Sequence, residues 1–114
     1  MNNQIYKEIN NETKLELLEN VSDLLINVDI AYEHNSISDL TYKALINHIN
    51  KVGVMIRSIN KNISNKLKEE ILNTLNDLSN VLVYLYADLN NLSYIQYHHM
   101  DSLINDIIDK VFKK

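Results

Sequence analysis

The chain has no cysteine, no proline and no tryptophan, and it holds one glycine and one phenylalanine. Without cysteine there is no disulfide, thiolate zinc site, iron–sulfur cluster or cysteine nucleophile. Without proline, and with Gly53 as the single glycine, the turns of sandwiches, barrels and doubly wound sheets lack their usual residues. A glycine-rich phosphate loop is excluded on the same ground. Long apolar runs are missing too. The longest, Val81 to Ala87, has seven residues and ends at Asp88, far short of the roughly 20 that a membrane span needs. The first residues carry no apolar core of signal-peptide length. The expectation is a soluble cytoplasmic protein with no membrane partner, one all-α domain of 114 residues, with long helices, short turns and no sheet. Arginine is scarce as well: ten lysines stand against Arg57, beside 18 asparagines and 15 isoleucines. That is the composition of AT-rich coding sequence, as in low-GC bacteria, phages or large DNA viruses.

What is present is helical periodicity. Apolar residues recur at steps of three and four in four segments: Leu18, Val21, Leu25, Val28 and Tyr32; Tyr42, Leu45, Ile49, Val52, Ile56, Ile59 and Ile63; Leu67, Ile71, Leu75, Leu78, Leu82, Leu85, Leu89 and Leu92; and Tyr97, Met100, Ile104, Ile107 and Val111. Alternating steps give a seam of period 3.5, the pattern of left-handed bundle packing. Flanking apolar residues such as Leu24, Ala31, Met55, Val81 and Leu103 widen each seam into a face, which suits four helices rather than two. Helix starts are marked. Thr13 and Glu16 fit a capping box, Ser38 an N-cap followed by Asp39, and Ser93 with Gln96 a second capping box. Ile37 with Tyr42, and Leu92 with Tyr97, fit hydrophobic staples, and Ser64 is a third cap. Helices are expected near 13–34, 38–61, 65–91 and 93–113.

The segment from Asn35 to Tyr42 reappears 55 residues later as Asn90 to Tyr97, and Val28 and Ile49 match Val83 and Ile104 at the same offset. The chain thus reads as two αα-hairpins forming an antiparallel up-down four-helix bundle.

Charge is segregated. Residues 1–40 carry a net −6, residues 41–68 a net +6 with no acid, and residues 69–109 a net −7 with no base. Two readings are open for the second helix. It lies between helices one and three and exchanges surface ion pairs with them, or Lys43, Lys51, Arg57, Lys61, Lys66 and Lys68 face nucleic acid or an acidic partner.

Support for catalysis is thin. His34, His48, His98 and His99 are the only imidazoles, and no Glu-x-x-His or His-Glu-x-x-His pattern occurs. His98 and Asp101 share a helix face, but two ligands do not make a metal site. No catalytic residue, metal or cofactor is expected. Tyrosine is abundant, with seven residues. Tyr84 and Tyr86 are two apart and cannot share a face. With Val81 and Val83 around them and Tyr94 beyond, they mark either a central buried helix or a protein interface.

Residues 14–61 also carry a specific pattern: Ile37-Ser38, Tyr42 four after the serine, Leu45 three later, and Gly53-Val54-Met55 near the helix end. This run resembles the helical hairpin of a bacterial four-helix-bundle family. That family includes proteins encoded in 23S rRNA intervening sequences and the accessory variability determinant (Avd) of diversity-generating retroelements. The resemblance implies a non-enzymatic accessory subunit that forms ring-like oligomers and binds a reverse transcriptase and nucleic acid. On that reading helix two would meet nucleic acid and helix three would form the oligomer. The acidic segments carry an alternative, a phage- or plasmid-encoded inhibitor or immunity protein that blocks a nuclease or another basic target.

Overall fold

The structure, a computed structural model, describes residues 7–60 and 62–112. Lys61 and the expected helix limits at 61 and 113 lie outside the described residues. Four helices make the molecule: α1 (Asn11–Glu33), α2 (Asp39–Arg57), α3 (Asn65–Val83) and α4 (Tyr94–Phe112). A π-helical turn, Tyr84–Asp88, extends α3. Helices α1 and α3 each pack on both α2 and α4, which closes an all-α four-helix bundle. Helices α1 and α2 run antiparallel. Lys14, early in α1, donates from Nζ to the carbonyls of Arg57 and Ile59 at 3.0 and 2.7 Å. Tyr32, late in α1, stacks on Tyr42, early in α2, at 4.1 Å between ring centroids.

The seams fill one core in which Leu45, Ile49, Val52, Ile56, Ile71, Leu75, Leu78, Leu82, Ile104 and Ile107 are almost fully buried. Three expectations shift. In α1 the buried line is Leu17, Val21, Leu24, Val28 and Ala31, while Leu18 and Leu25 flank it. Helix α2 stops at Arg57, so Ile59 and Ile63 are buried outside any helix and plug the end of the core. The Lys14 ammonium takes the carbonyl of the last helical residue and that of Ile59 just beyond it. Leu89, the first residue past the π turn, falls off the seam and is exposed, because the helix has ended before it.

The caps at Ser38, Ser64 and Ser93 stand as expected. At Ser93 both bonds of the box form: Gln96 N–H donates to Ser93 Oγ at 3.1 Å, and Ser93 N–H donates to Gln96 Oε1 at 2.9 Å. The box expected at Thr13 is corrected. Asn10 is the N-cap, and its Oδ1 accepts from the Thr13 N–H at 2.8 Å. Asparagine caps as well as threonine does, and the earlier start adds most of a turn to α1.

The expectation of no sheet is also corrected. Two short strands, β1 (Lys7–Glu8) and β2 (Asn62–Ile63), pair antiparallel with Glu8 opposite Asn62. Ile9 and Ile63 are buried nearby. Their burial brings the two backbone segments side by side, where pairing satisfies groups that would otherwise lose water.

The repeat is wider than the turn. The N-caps Asn10 and Ser64 and the helix starts Asn11 and Asn65 are 54 apart. The starts of α2 and α4, and their ends Arg57 and Phe112, are 55 apart. Burial follows the same register, pairing Leu17 with Ile71, Leu24 with Leu78 and Val28 with Leu82 before the turns, then Leu45 with Met100 and Ile49 with Ile104 after them. The sequence match of Val28 to Val83 is thereby corrected: Val28 is buried and Val83 is 42% exposed. The π turn supplies the extra residue. In the first turn Ser36 N–H bonds the Ala31 carbonyl, five residues back, whereas Asn91 N–H reaches six back to Leu85. Both turns still use an asparagine in the left-handed region, Asn35 at φ 59° and Asn90 at φ 56°, a conformation asparagine tolerates.

Candidate functional site

The two helical turns meet at one end of the bundle. Asn91 of the second joins Tyr32, Glu33, Asn35, Ser36, Ile37, Ser38 and Asp39 of the first around an open cavity of about 630 Å³. Behind it each hairpin is clasped by stacked tyrosines. In the first, Tyr32 Oη donates to Asp39 Oδ1 and Tyr42 Oη donates to Asp29 Oδ1, both at 2.5 Å. These bonds to carboxylates hold both hydroxyls above the ordinary tyrosine range. In the second, Tyr86 stacks on Tyr97 at 4.7 Å, and Val83 and Tyr94 occupy the places of the two carboxylates. Burial, then the charge of Asp101, raises Tyr97. Tyr94 lies over His98 at 5.4 Å.

The tyrosine and valine candidates divide. Val81 and Tyr86 pack against the core and belong to the bundle. Val83, Tyr84 and Tyr94 are exposed at 42%, 51% and 61%. Around them the sequence pattern missed Leu40 and Ile95, exposed at 80% and 78%. The signal was present in the repeat, which pairs Leu40 with Ile95, and both lie off the apolar seam.

The cations do not form a compact site. Lys43, Lys51 and Arg57 are exposed along α2, over about 21 Å of helix. The Arg57 guanidinium folds back beside Gly53. Lys51 lines a polar groove between α2 and α3 with Asn47, His48, Thr74 and Asp77, which continues past Glu70 and Asn73. Lys66 and Lys68 stand in the first turn of α3. Helix α2 does lie between α1 and α3, but the ion pair between described residues, Lys110 Nζ to Glu16 Oε2 at 3.8 Å, joins α4 to α1 instead. His48 bonds the Ala44 carbonyl through Nδ1 at 2.8 Å. Among the described residues no three His, Asp or Glu side chains are grouped to hold a metal, and no helix is long and apolar enough to cross a membrane. Comparison with protein-family models, curated proteins and solved structures found no match to the chain.

Proposed function

We propose that the chain is a non-enzymatic binding module that docks another protein through the turn end of its bundle. One observation carries this reading. Of the ten large hydrophobic residues exposed among the described ones, seven stand at the helix ends that flank the two turns: Ile30, Leu40, Val83, Tyr84, Leu89, Tyr94 and Ile95. Scattered exposed apolar residues need no explanation, but their concentration at one end marks an interaction surface. Tyrosine there supplies rigid contact area at little entropic cost. An accessory subunit, as the family resemblance implies, would hold a protein partner at this end and nucleic acid along Lys43, Lys51 and Arg57. An inhibitor would use the same end to reach a basic target.

Selection of a random peptide library on the immobilised full chain tests the reading. Peptides that bind the chain but not a Leu40→Ser/Tyr94→Ser/Ile95→Ser variant of equal helicity are the expected result. Selected peptides that bind the variant equally well would place docking elsewhere. Light scattering of the same pair separates the two uses, since an accessory of the ring-forming kind associates with itself and an inhibitor stays monomeric. Salt-dependent binding of single-stranded RNA, lost in a Lys51→Glu/Arg57→Glu variant, would assign α2 its nucleic-acid role.

A further inference from the structure

The fold turns charge along the chain into charge at one end of the bundle. Neither lysine nor arginine occurs in 15–42 or in 69–109, and these stretches hold both helical turns and the helix ends that flank them. Asp29, Glu33, Asp39 and Asp88 carry the charge of the turn end. Lys43 stands one turn into α2, and Lys51 stands about 18 Å along that helix from Asp39.

Three of these carboxylates gather at the cavity of the turn end. Glu33 and Asp39 line it with Asn35 and Ser36, and Asn91 joins them from the second turn. Asp29 stands behind, taking the Tyr42 hydroxyl. Asp39 gives Oδ1 to the Tyr32 hydroxyl and keeps Oδ2. Glu33 is exposed, and among the described residues no ion pair reaches any of the three. The stacked tyrosines register the same field. The bond to Asp39 raises the Tyr32 hydroxyl. The bond to Asp29, burial and the charges of Tyr32 and Glu33 raise that of Tyr42, and no cation lowers either. Apolar surface lies beside the charge: Leu40 follows Asp39 and Ile30 precedes Tyr32 by half a turn, and both are exposed.

We propose that this cavity receives one arginine from a basic, apolar segment of another protein. A second copy of the chain would bring the same acids to a turn-to-turn contact, and a nucleic acid would bring phosphates, so both are repelled. A basic segment complements the surface, and the opposed charges speed its approach. The cavity, about 630 Å³, is of a size that encloses a small ligand. A guanidinium is planar, permanently charged and carries five donors. It meets Glu33, the remaining oxygen of Asp39 and the side-chain oxygens of Asn35, Ser36 and Asn91, while its apolar neighbours lie on Leu40 and Ile30. A free cation lacks those neighbours, and an exposed ion pair alone contributes little, so the arginine binds as part of a partner's chain. The proposal rests on the protein-docking reading and adds the partner's charge and the place of its anchor.

The test titrates the ¹⁵N-labelled full chain at low salt with three probes: a blocked peptide of one arginine between leucines, the same peptide with citrulline in place of arginine, and N-acetylarginine amide as the free cation. The expected result is amide shifts at Glu33, Asn35, Ser36, Asp39 and Asn91, with the arginine peptide binding about tenfold or more tighter than either control. Glu33→Gln weakens it about fivefold or more, as does Asp39→Asn, which keeps an acceptor for Tyr32. Glu19→Gln, an equal change of charge about 21 Å back along α1, alters nothing. Peptides selected from the library on the turn end are enriched in arginine. Equal binding of the citrulline peptide, or selected peptides without a basic residue, overturns the proposal and leaves protein docking standing. Equal binding of N-acetylarginine amide, or shifts confined to other faces, also overturns it. Failure of library peptides to require Leu40, Tyr94 and Ile95 overturns the docking reading itself.

Discussion

Tyr32 and Tyr42 reach across the first hairpin to each other's helix, each donating to a carboxylate on the opposite side. Both hydroxyls, with that of Tyr97, ionise above the ordinary range. In the unfolded chain they would ionise first, near pH 10. Below that pH their contribution to stability is complete, and it is lost as pH rises through the folded-state values. Thermal melting followed from pH 8 to 11 should hold level and then fall above about pH 10, and Tyr42→Phe should flatten the fall. Gly53, the single glycine, lies inside α2. A Cβ there would sit 3.4 Å from Val21 Cγ1 and 3.5 Å from the Arg57 guanidinium, ordinary contact distances. Gly53→Ala should therefore raise stability by up to about 1 kcal/mol, the helix-propensity difference, measurable by urea denaturation. A drop would mean that Val21 cannot yield. Asn20 is 8% exposed, and its Nδ2 has no hydrogen-bond partner among the described residues. At the equivalent place Thr74 donates to the Glu70 carbonyl at 2.9 Å. Asn20→Thr is close in volume, removes the stranded amide, and should stabilise the fold by about 1 kcal/mol.

At the scale of elements the two hairpins differ by one residue, and the difference sits in the π turn. Leu82, Leu85 and Tyr86 precede the extra residue and keep the places of Val28, Ala31 and Tyr32. Deleting Ala87 should therefore leave the core intact, turn Tyr84–Asp88 into an ordinary α-helical turn, and draw the second connection into the form of the first. Amide spectra of the deletion variant should change only near residues 84–93, with no loss of melting temperature. Widespread change would show that the π turn sets the packing of α4. Much of this architecture was legible in the sequence, because steps of three and four name the buried face directly and serine caps name the starts. The misses have physical causes. Thr13 with Glu16 satisfied the capping pattern as well as Asn10 did, and only the chain's path chose between them. The apolar period ran on through Ile59 and Ile63 because both are buried, although the helix had ended at Arg57. A π turn leaves no compositional trace; it shows only as a repeat that slips from 54 to 55. The candidate surface was half visible. Tyr84 and Tyr94 stood out as aromatic, whereas Leu40 and Ile95 looked like ordinary helix residues until their exposure was known.

The whole molecule is one core built twice. Buried residues of both hairpins join in a single cluster, and α1 meets α4 while α2 meets α3. Neither hairpin can bury its apolar face without the other, so the two hairpins should not be independent folding units. Domains of this size hold about 5–15 kcal/mol of net stability, and a core leucine or isoleucine cut to alanine costs about 2–5 kcal/mol. Leu17 and Ile71 are equivalent and both fully buried. Leu17→Ala and Ile71→Ala should therefore destabilise the chain by similar amounts, and each loss should appear in both hairpins. Hydrogen exchange measures this directly: core amides of α1, α2, α3 and α4 should open at one common free energy, lowered alike by either substitution. Were Leu17→Ala to lower only the amides of α1 and α2, the halves would be separable. A separable pair could part to admit a partner between them, and the partner would then meet the buried seams instead of the exposed turn end.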